Sequence, residues 1–374
     1  MSGLHAHIDP DGLLEYSVVY TDRALNHMSA RFQTAMRDLS ALLKRVYHAE
    51  AAVIVPGSGT YAMEAVARQL VQGQRCLVVR NGFFSFRWSQ ILETGRLSKD
   101  IVVMQAAQPT PGPQQPFAPA PIAEVEAAIA AHKPALVFAP HVETASGMIL
   151  PEDYIRRLAD AAHAVGALLV IDCIASGAVW LDMAALGIDV LISAPQKGWS
   201  ASPCCGMVML NAVALERVRA TRSDSFACDL LKWLTIMEAY ENGGHAYHAT
   251  MPTDALIGLR DAMQEAEAAG FENLKEAQWE LGRRVRALLA EHGFASVAAA
   301  DFAAPGVVVS YTDRADIQNG KAFAAQGLQI AAGVPLQVGE GADFQSFRIG
   351  LFGLDKLQNI DRTVDALRAA LAQL

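Results

Sequence analysis

Two side chains at the ends of apolar runs are spaced to do chemistry together. Asp172 follows the run Leu168 to Ile171, and the next run, Val190 to Ile192, leads through Ser193-Ala194-Pro195-Gln196 into Lys197. The stretch between them is one crossover unit, so a carboxylate and an amine arrive at the same sheet edge on neighbouring strands. A lysine there forms a Schiff base with a carbonyl cofactor, and a carboxylate beside it pairs with a pyridinium nitrogen, the layout of a pyridoxal phosphate site. A structural ion pair at a strand edge is the competing reading of the same two residues. The turn Pro56-Gly57-Ser58-Gly59-Thr60-Tyr61-Ala62, between the run Ala51 to Val55 and a helix, tips the balance. Its glycines let backbone approach a ligand closely, and its free amides with the Ser58 and Thr60 hydroxyls suit a phosphate. The spacing also matches GxGxxA, but a dinucleotide site wants an acidic residue near the end of the second strand, where the chain reads Val79-Arg80-Asn81. A nucleotide-dependent oxidoreductase is therefore the alternative from another reaction class. A fourth strand ending, His141-Val142-Glu143-Thr144-Ala145-Ser146-Gly147, brings more hydroxyls to the same edge, or is simply a polar loop.

The elements that must position these residues are legible as short Val- and Ile-rich runs. They are Ala51 to Val55, Cys76 to Val79, Ile101 to Met104, Leu136 to Ala139, Leu168 to Ile171, Val190 to Ile192 and Met207 to Leu210. Several are apolar at every position, as strands buried on both faces of a mostly parallel sheet are. Stretches with helical spacing lie between them, among them Tyr61 to Val71, Ile122 to Ala131 and Asp153 to Val165. The pattern predicts an α/β fold with a seven-stranded, mostly parallel sheet in a large domain over residues 25–255. A smaller α+β domain over residues 256–374 follows. It holds helices at Ala255 to Ala269 and Asn273 to His292, strands at Val307 to Tyr311 and Phe347 to Leu351, a helix near Ile317 to Gln326 and a closing helix from Leu354 to Leu374. Residues 1–24 form an N-terminal segment near the substrate mouth, and the proline-rich stretch Gln105 to Pro121 reads as a surface segment.

Composition narrows the partners. The 374 residues carry a net charge of −9 without any block of like charges, which argues against nucleic acid and anionic membrane surfaces. No apolar run is long enough to span a bilayer, and the N-terminus lacks the pattern of a secretory signal, so a cytoplasmic protein is expected. The five cysteines (Cys76, Cys173, Cys204, Cys205 and Cys228) are an odd, scattered set, read as reduced thiols. Cys204 and Cys205 are adjacent and not in CxxC spacing, so no metal site is expected.

Taken in order, the Pro-Gly-Ser-Gly-Thr turn, the His-x-Glu-Thr loop, the Asp172 segment, Gln196-Lys197 and the late Ser346-Phe347-Arg348-Ile349-Gly350 run resemble the class V aminotransferases of fold type I. The alanine/serine–glyoxylate and 2-aminoethylphosphonate–pyruvate branches are closest. The resemblance implies pyridoxal 5'-phosphate as cofactor, with Lys197 as its Schiff-base lysine and proton shuttle and Asp172 keeping the ring nitrogen protonated. It places Phe84, where many relatives carry Trp, as the stacking aromatic, and Thr144 near the phenolic oxygen. Ser58, Gly59, Thr60 and Gln196 would hold the phosphate, joined by Tyr247 and Thr250 from the other subunit of a homodimer. Arg348 would grip the substrate carboxylate through its planar fork. The implied reaction is a ping-pong transfer of an amino group from a small donor of the alanine or serine type to glyoxylate or pyruvate. The alternative inside the family is a 2-aminoethylphosphonate donor, for which Tyr61 to Val66 and Asp229-Leu230-Leu231 speak, with Arg31, Arg80 and Arg87 as candidates for an additional clamp. A lyase or epimerase of the same scaffold is the further alternative. The family's Gly-Pro-Gly-Pro segment is replaced here by Leu14 to Tyr20, and Cys204 stands where relatives often have Gly.

Overall fold

The computed structural model describes residues 8, 9, 11 and 13–374, so part of the expected N-terminal segment, residues 1–7, 10 and 12, lies outside the described residues. The uniformly apolar runs become the main sheet: β1 (Ala51–Pro56), β2 (Cys76–Arg80), β3 (Ile101–Gln105), β4 (Leu136–Pro140), β5 (Leu168–Asp172), β6 (Val190–Ser193) and β7 (Cys205–Leu210). Their order across the sheet is β1-β7-β6-β5-β4-β2-β3. Only β7 runs against the rest, pairing antiparallel with both β1 and β6, while the other neighbours pair in parallel. Every residue of β4, β5, β6 and β7 is buried, because helices cover both faces of the sheet.

Three helices matter most for the site. Helix α1 (Ala30–Tyr47) turns Phe32, Ala35, Met36, Leu39, Leu42 and Leu43 inward at helical spacing, and the Ser29 hydroxyl accepts the Phe32 N–H at 3.2 Å to start it. Helix α2 (Gly59–Leu70) begins at the glycine-rich turn, and α3 (Phe83–Thr94) begins directly after β2. In α3 the fully buried Trp88 lies against Phe138 of β4, ring centres 4.4 Å apart, which fixes the helix on the sheet.

Beyond the long helices Thr253–Ala269 and Phe271–Glu291, a second sheet forms from β8 (Val307–Tyr311), β9 (Ala331–Ala332) and β10 (Ser346–Gly350), in the order β8-β10-β9 and antiparallel throughout. Two expected helices are broken. The one near Ile317 to Gln326 is two short pieces, Ala315–Gln318 and Lys321–Ala325, because Gly320 sits at φ +81°, a left-handed stop. The closing helix divides at Asn359, whose φ of −134° interrupts Leu354–Gln358 from Ile360–Leu371. From Ala106 to Pro121 the chain forms no helix or strand, and isolated bridges Ala107 to Ala118 and Phe117 to Ala298 tie it down.

Candidate active site

Five strands, β1, β2, β4, β5 and β6, hand on to loops that meet at one cavity of about 190 Å³ beyond their carboxyl ends. Of the residues singled out in the sequence, Ser58, Gly59, Thr60, Phe84, Thr144, Asp172, Gln196 and Lys197 all line it. The turn after β1 needs its glycines. Gly57 has φ +124°, and a side chain there would stand 2.8 Å from the Tyr61 ring; one at Gly59 would stand 2.4 Å from Ile174. Ser58 is extended and its hydroxyl caps nothing, although it sits at the start of α2.

Asp172 ends β5 in register with Pro140 and Ile192, and its Oδ1 accepts the Ile174 N–H at 2.9 Å. Burial, with the Glu143 anion adding to it, raises its carboxyl to about 6, against the pull of the Ile174 hydrogen bond and of the Arg87 and Lys197 cations. Lys197 is held by a rigid turn: Ser200 N–H donates to its carbonyl at 3.1 Å, and a side chain at Gly198 would fall 2.0 Å from the Gly177 carbonyl. Burial first, then the Arg348 and Arg87 charges, push its amine below the ordinary lysine range, opposed by Asp172 and Glu143. Its Nζ lies 5.0 Å from the centre of the Phe352 ring. Among the described residues Lys197 and Asp172 form no ion pair with each other or with any third group, so the reading of them as a structural pair falls.

Two residues acquire roles that the sequence did not show. Glu143 is fully buried, and its carboxylate accepts from the Phe84 N–H (3.2 Å), the Ser85 N–H (2.8 Å), the Ser85 hydroxyl (2.7 Å) and the Ala145 N–H (2.9 Å). It thereby fastens the loop carrying Thr144 to the first turn of α3 and fixes where Phe84 stands, a helix N-terminus being a favourable place for an anion. Gly82 makes room for it, since a side chain there would meet Glu143 at 2.7 Å. Arg87, one turn further along α3, also lines the cavity and donates from Nη1 to the Thr60 hydroxyl at 3.0 Å. A glutamate after a strand or an arginine in a helix carries no local signature of such contacts. His141 is neutral: burial drives it to about 3, and its Nδ1 meets the Ser176 hydroxyl at 2.7 Å.

Arg348, on β10, is not among the residues that line the cavity, but its guanidinium carbon lies 5.5 Å from the centre of the Phe84 ring, which does line it, and its Nε donates to the Ala332 carbonyl at 2.8 Å. Burial lowers its proton affinity while the Glu143 charge opposes the change. Tyr247 and Thr250 are not brought to this cavity in the single chain. They sit on the exposed stretch after the helix Leu230–Glu241, their hydroxyls 3.2 Å apart, with the Tyr247 ring 5.6 Å from that of His27. Of the other arginines considered, Arg31 lines a separate hollow with Arg23 and Asp254, and Arg80 is spent on Ser89 and the Gln337 carbonyl.

The polar lining suits pyridoxal phosphate. The side chains of Ser58, Thr144, Gln196 and Lys197 face the cavity with no hydrogen-bond partner among the described residues. Unspent donors and acceptors around an enclosed space are costly unless a polar ligand satisfies them. They comprise hydroxyls and an amide beside a glycine turn and an amine, and the buried Asp172 carboxylate, which accepts from Ile174 N–H through Oδ1, stands on the same lining. Those are partners for a phosphate, an aldehyde and a ring nitrogen.

A family model described as Aminotransferase class-V matches residues 13–338. The chain is 28% identical over 365 residues to the alanine–glyoxylate aminotransferase of Callithrix jacchus, covering 93% of this chain and 82% of the relative. It is 30% identical over 362 residues to the 2-aminoethylphosphonate–pyruvate transaminase of Paraburkholderia phymatum, covering 94% and 90%. Among solved structures, the alanine–glyoxylate aminotransferase from Nostoc sp. is similar with a TM-score of 0.77 at 22% identity, covering 92% of this chain and 88% of that one, a likeness of fold.

Proposed function

Because the chain belongs to the class V aminotransferases, enzymes that work with pyridoxal 5'-phosphate, we propose that it moves the amino group of a small donor of the alanine or serine type to glyoxylate or pyruvate, in two half-reactions at this cavity. The observation that carries the reading is the amine of Lys197 and the carboxylate of Asp172, brought by neighbouring strands to one cavity and in no ion pair among the described residues. When bound, pyridoxal phosphate supplies an aldehyde that takes up the amino nitrogen and a protonated ring that draws electrons away from the reacting carbon.

The chain's own residues supply binding, orientation and proton handling. Ser58, Gly59, Thr60 and Gln196 hold the phosphate, Phe84 stacks on the ring, and Thr144 donates near the phenolic oxygen. The Asp172 carboxylate keeps a proton on the pyridine nitrogen. Lys197 Nζ, its pKa lowered by burial and neighbouring cations, has more of the free amine that can take a proton from the donor's nitrogen-bearing carbon and deliver it to the cofactor carbon that carried the aldehyde. Arg348 grips the substrate carboxylate, its planar fork matching two oxygens. Arg31 and Arg80 are not free at the cavity to clamp a phosphonate, and Arg87, which lines it, is held over the phosphate turn by its hydrogen bond to Thr60, so the donor is placed in the carboxylate class. Tyr247 and Thr250 reach the phosphate from the partner of a homodimer, and the five unpaired thiols support a reducing cytoplasm. No helix among the described residues is long and apolar enough to cross a membrane.

The test is spectroscopic. The cofactor-loaded protein is mixed with alanine, serine and 2-aminoethylphosphonate one at a time, and its visible absorbance is followed. Bleaching by alanine or serine, restored by glyoxylate or pyruvate, is the expected result. Bleaching by the phosphonate alone moves the donor to that class, and a protein that takes up no cofactor removes the role given to Lys197.

A further inference from the structure

We propose that Arg87 is a binding residue for the cofactor's phosphate, supplying the fixed positive charge that the glycine turn lacks; this rests on the reading of the cavity as the pyridoxal phosphate site. A phosphate dianion withdrawn from water needs counter-charge as well as neutral donors. The turn offers backbone amides and the Ser58 and Thr60 hydroxyls, and Gln196 offers an amide, but none of these is charged. Among the described residues two cationic side chains line the cavity, Lys197 and Arg87. Lys197 stands beyond β6, and its amine is committed to the reacting end of the cofactor.

Arg87 is anchored at the other end. Its Nη1 donates to the Thr60 hydroxyl at 3.0 Å, which places the guanidinium over the turn expected to carry the phosphate. That is its one hydrogen bond among the described residues, so the rest of a five-donor fork is unspent. It also makes no ion pair there, unlike Arg68, Arg157, Arg219 and Arg260, each of which has a carboxylate within 3.0 Å. An arginine that faces a cavity with no carboxylate in ion-pair reach, Asp172 of the same lining acting on it only from further off, is a site for an anion supplied from outside. The same guanidinium lies 5.3 Å from the centre of the Phe84 ring, three residues earlier on one face of α3, so one helix turn presents both the stacking ring and the cation. Arg348 approaches that ring from the second sheet, tied to Ala332. The two cations therefore divide the work: Arg87 with the cofactor's anion, Arg348 with the substrate's.

Comparing pyridoxal phosphate with pyridoxal, which lacks the phosphate, isolates this contact. Binding of each to the cofactor-free protein is measured by dialysis with visible absorbance for wild type, Arg87→Ala and Arg87→Lys. The expected result is a loss of pyridoxal phosphate affinity of about tenfold to a hundredfold in Arg87→Ala, a smaller loss in Arg87→Lys, and pyridoxal affinity unchanged in both. Unchanged pyridoxal phosphate affinity with a raised KM for the amino donor would make Arg87 a substrate clamp and overturn the proposal. Equal losses for both ligands would also overturn it, showing a structural role. Wild-type protein that binds neither ligand would remove the cofactor reading itself, an outcome distinct from the other two.

Discussion

Asp172 shows at the scale of one residue what the site demands of the fold. Folded protein without cofactor keeps a proton on this buried carboxyl up to about pH 6, whereas the unfolded chain releases it near the ordinary aspartate value of 3.8. The folded state thus binds more protons between those limits, and its stability falls as pH rises through them, by about 3 kcal/mol in all. Cofactor-free Asp172→Asn should lack this fall: urea unfolding from pH 4 to pH 7.5 should show a flatter stability profile than wild type, and the variant should retain cofactor poorly. An identical slope in the two proteins would mean that Asp172 is not the buried acid responsible. Lys197 and Asp172 were legible in the sequence because Asp172 directly ends a uniformly apolar run and Lys197 follows the next one by a short turn, so neighbouring strands place both. Glu143 and Arg87 were not, since what they do depends on Phe84, Ser85 and Thr60, contacts made only when the loops after β1, β2 and β4 converge at the carboxyl edge of the sheet. Glu143 was visible as part of a motif, but its burial and its four hydrogen bonds were not.

At the scale of elements, the cavity depends on how closely α2 can sit on the sheet. Helix α2 starts against β7 at Gly206, where a side chain would stand 2.4 Å from the Ala62 Cβ and 2.7 Å from the Ser58 carbonyl. Neither obstacle is the far end of a flexible side chain, so Gly206→Ala must displace the helix start and the turn before it. The expected cost is about 1–3 kcal/mol, typical of overpacking, together with faster loss of cofactor on dialysis. Urea denaturation and dialysis of the same variant check both, and a fully stable variant that keeps its cofactor would show that the seat is not tight. The strands were readable because burial on both faces removes alternation and leaves runs such as Leu168 to Ile171. The helix breaks at Gly320 and Asn359 were not, because apolar spacing continues across them and only the backbone conformation of one residue ends each piece. Helix α1, with a capped start at Ser29 and an apolar face, carried its signals in the sequence and could have been found there.

At the scale of the molecule, the proposed homodimer accounts for features that the single chain leaves open. Leu13, Leu14, Tyr16 and Val18 are exposed on the N-terminal stretch, and Phe226 and Tyr247 are exposed elsewhere, an unusual amount of large apolar surface left to solvent. The N-terminal stretch also supports the segment that bears Tyr247: Tyr20 donates to the Met251 carbonyl at 3.2 Å, and Leu25 N–H donates to Asp254 at 3.1 Å. The exposed hydroxyl pair of Tyr247 and Thr250 is not among the residues that line the site cavity, which is what the proposed exchange across a two-fold axis requires. That arrangement makes a prediction that an arrangement within one chain does not. Lys197→Ala, and separately Tyr247→Phe with Thr250→Ala, should each be nearly inactive as purified dimers. When the two inactive chains are co-expressed, a mixed dimer would hold one site with neither defect, its lysine from one chain and its hydroxyls from the other. Random pairing makes half the dimers mixed, each with one of two sites intact, so activity should return to about a quarter of wild type. Were each site built from a single chain, every site in the mixed dimer would still carry one of the defects, and co-expression would restore nothing.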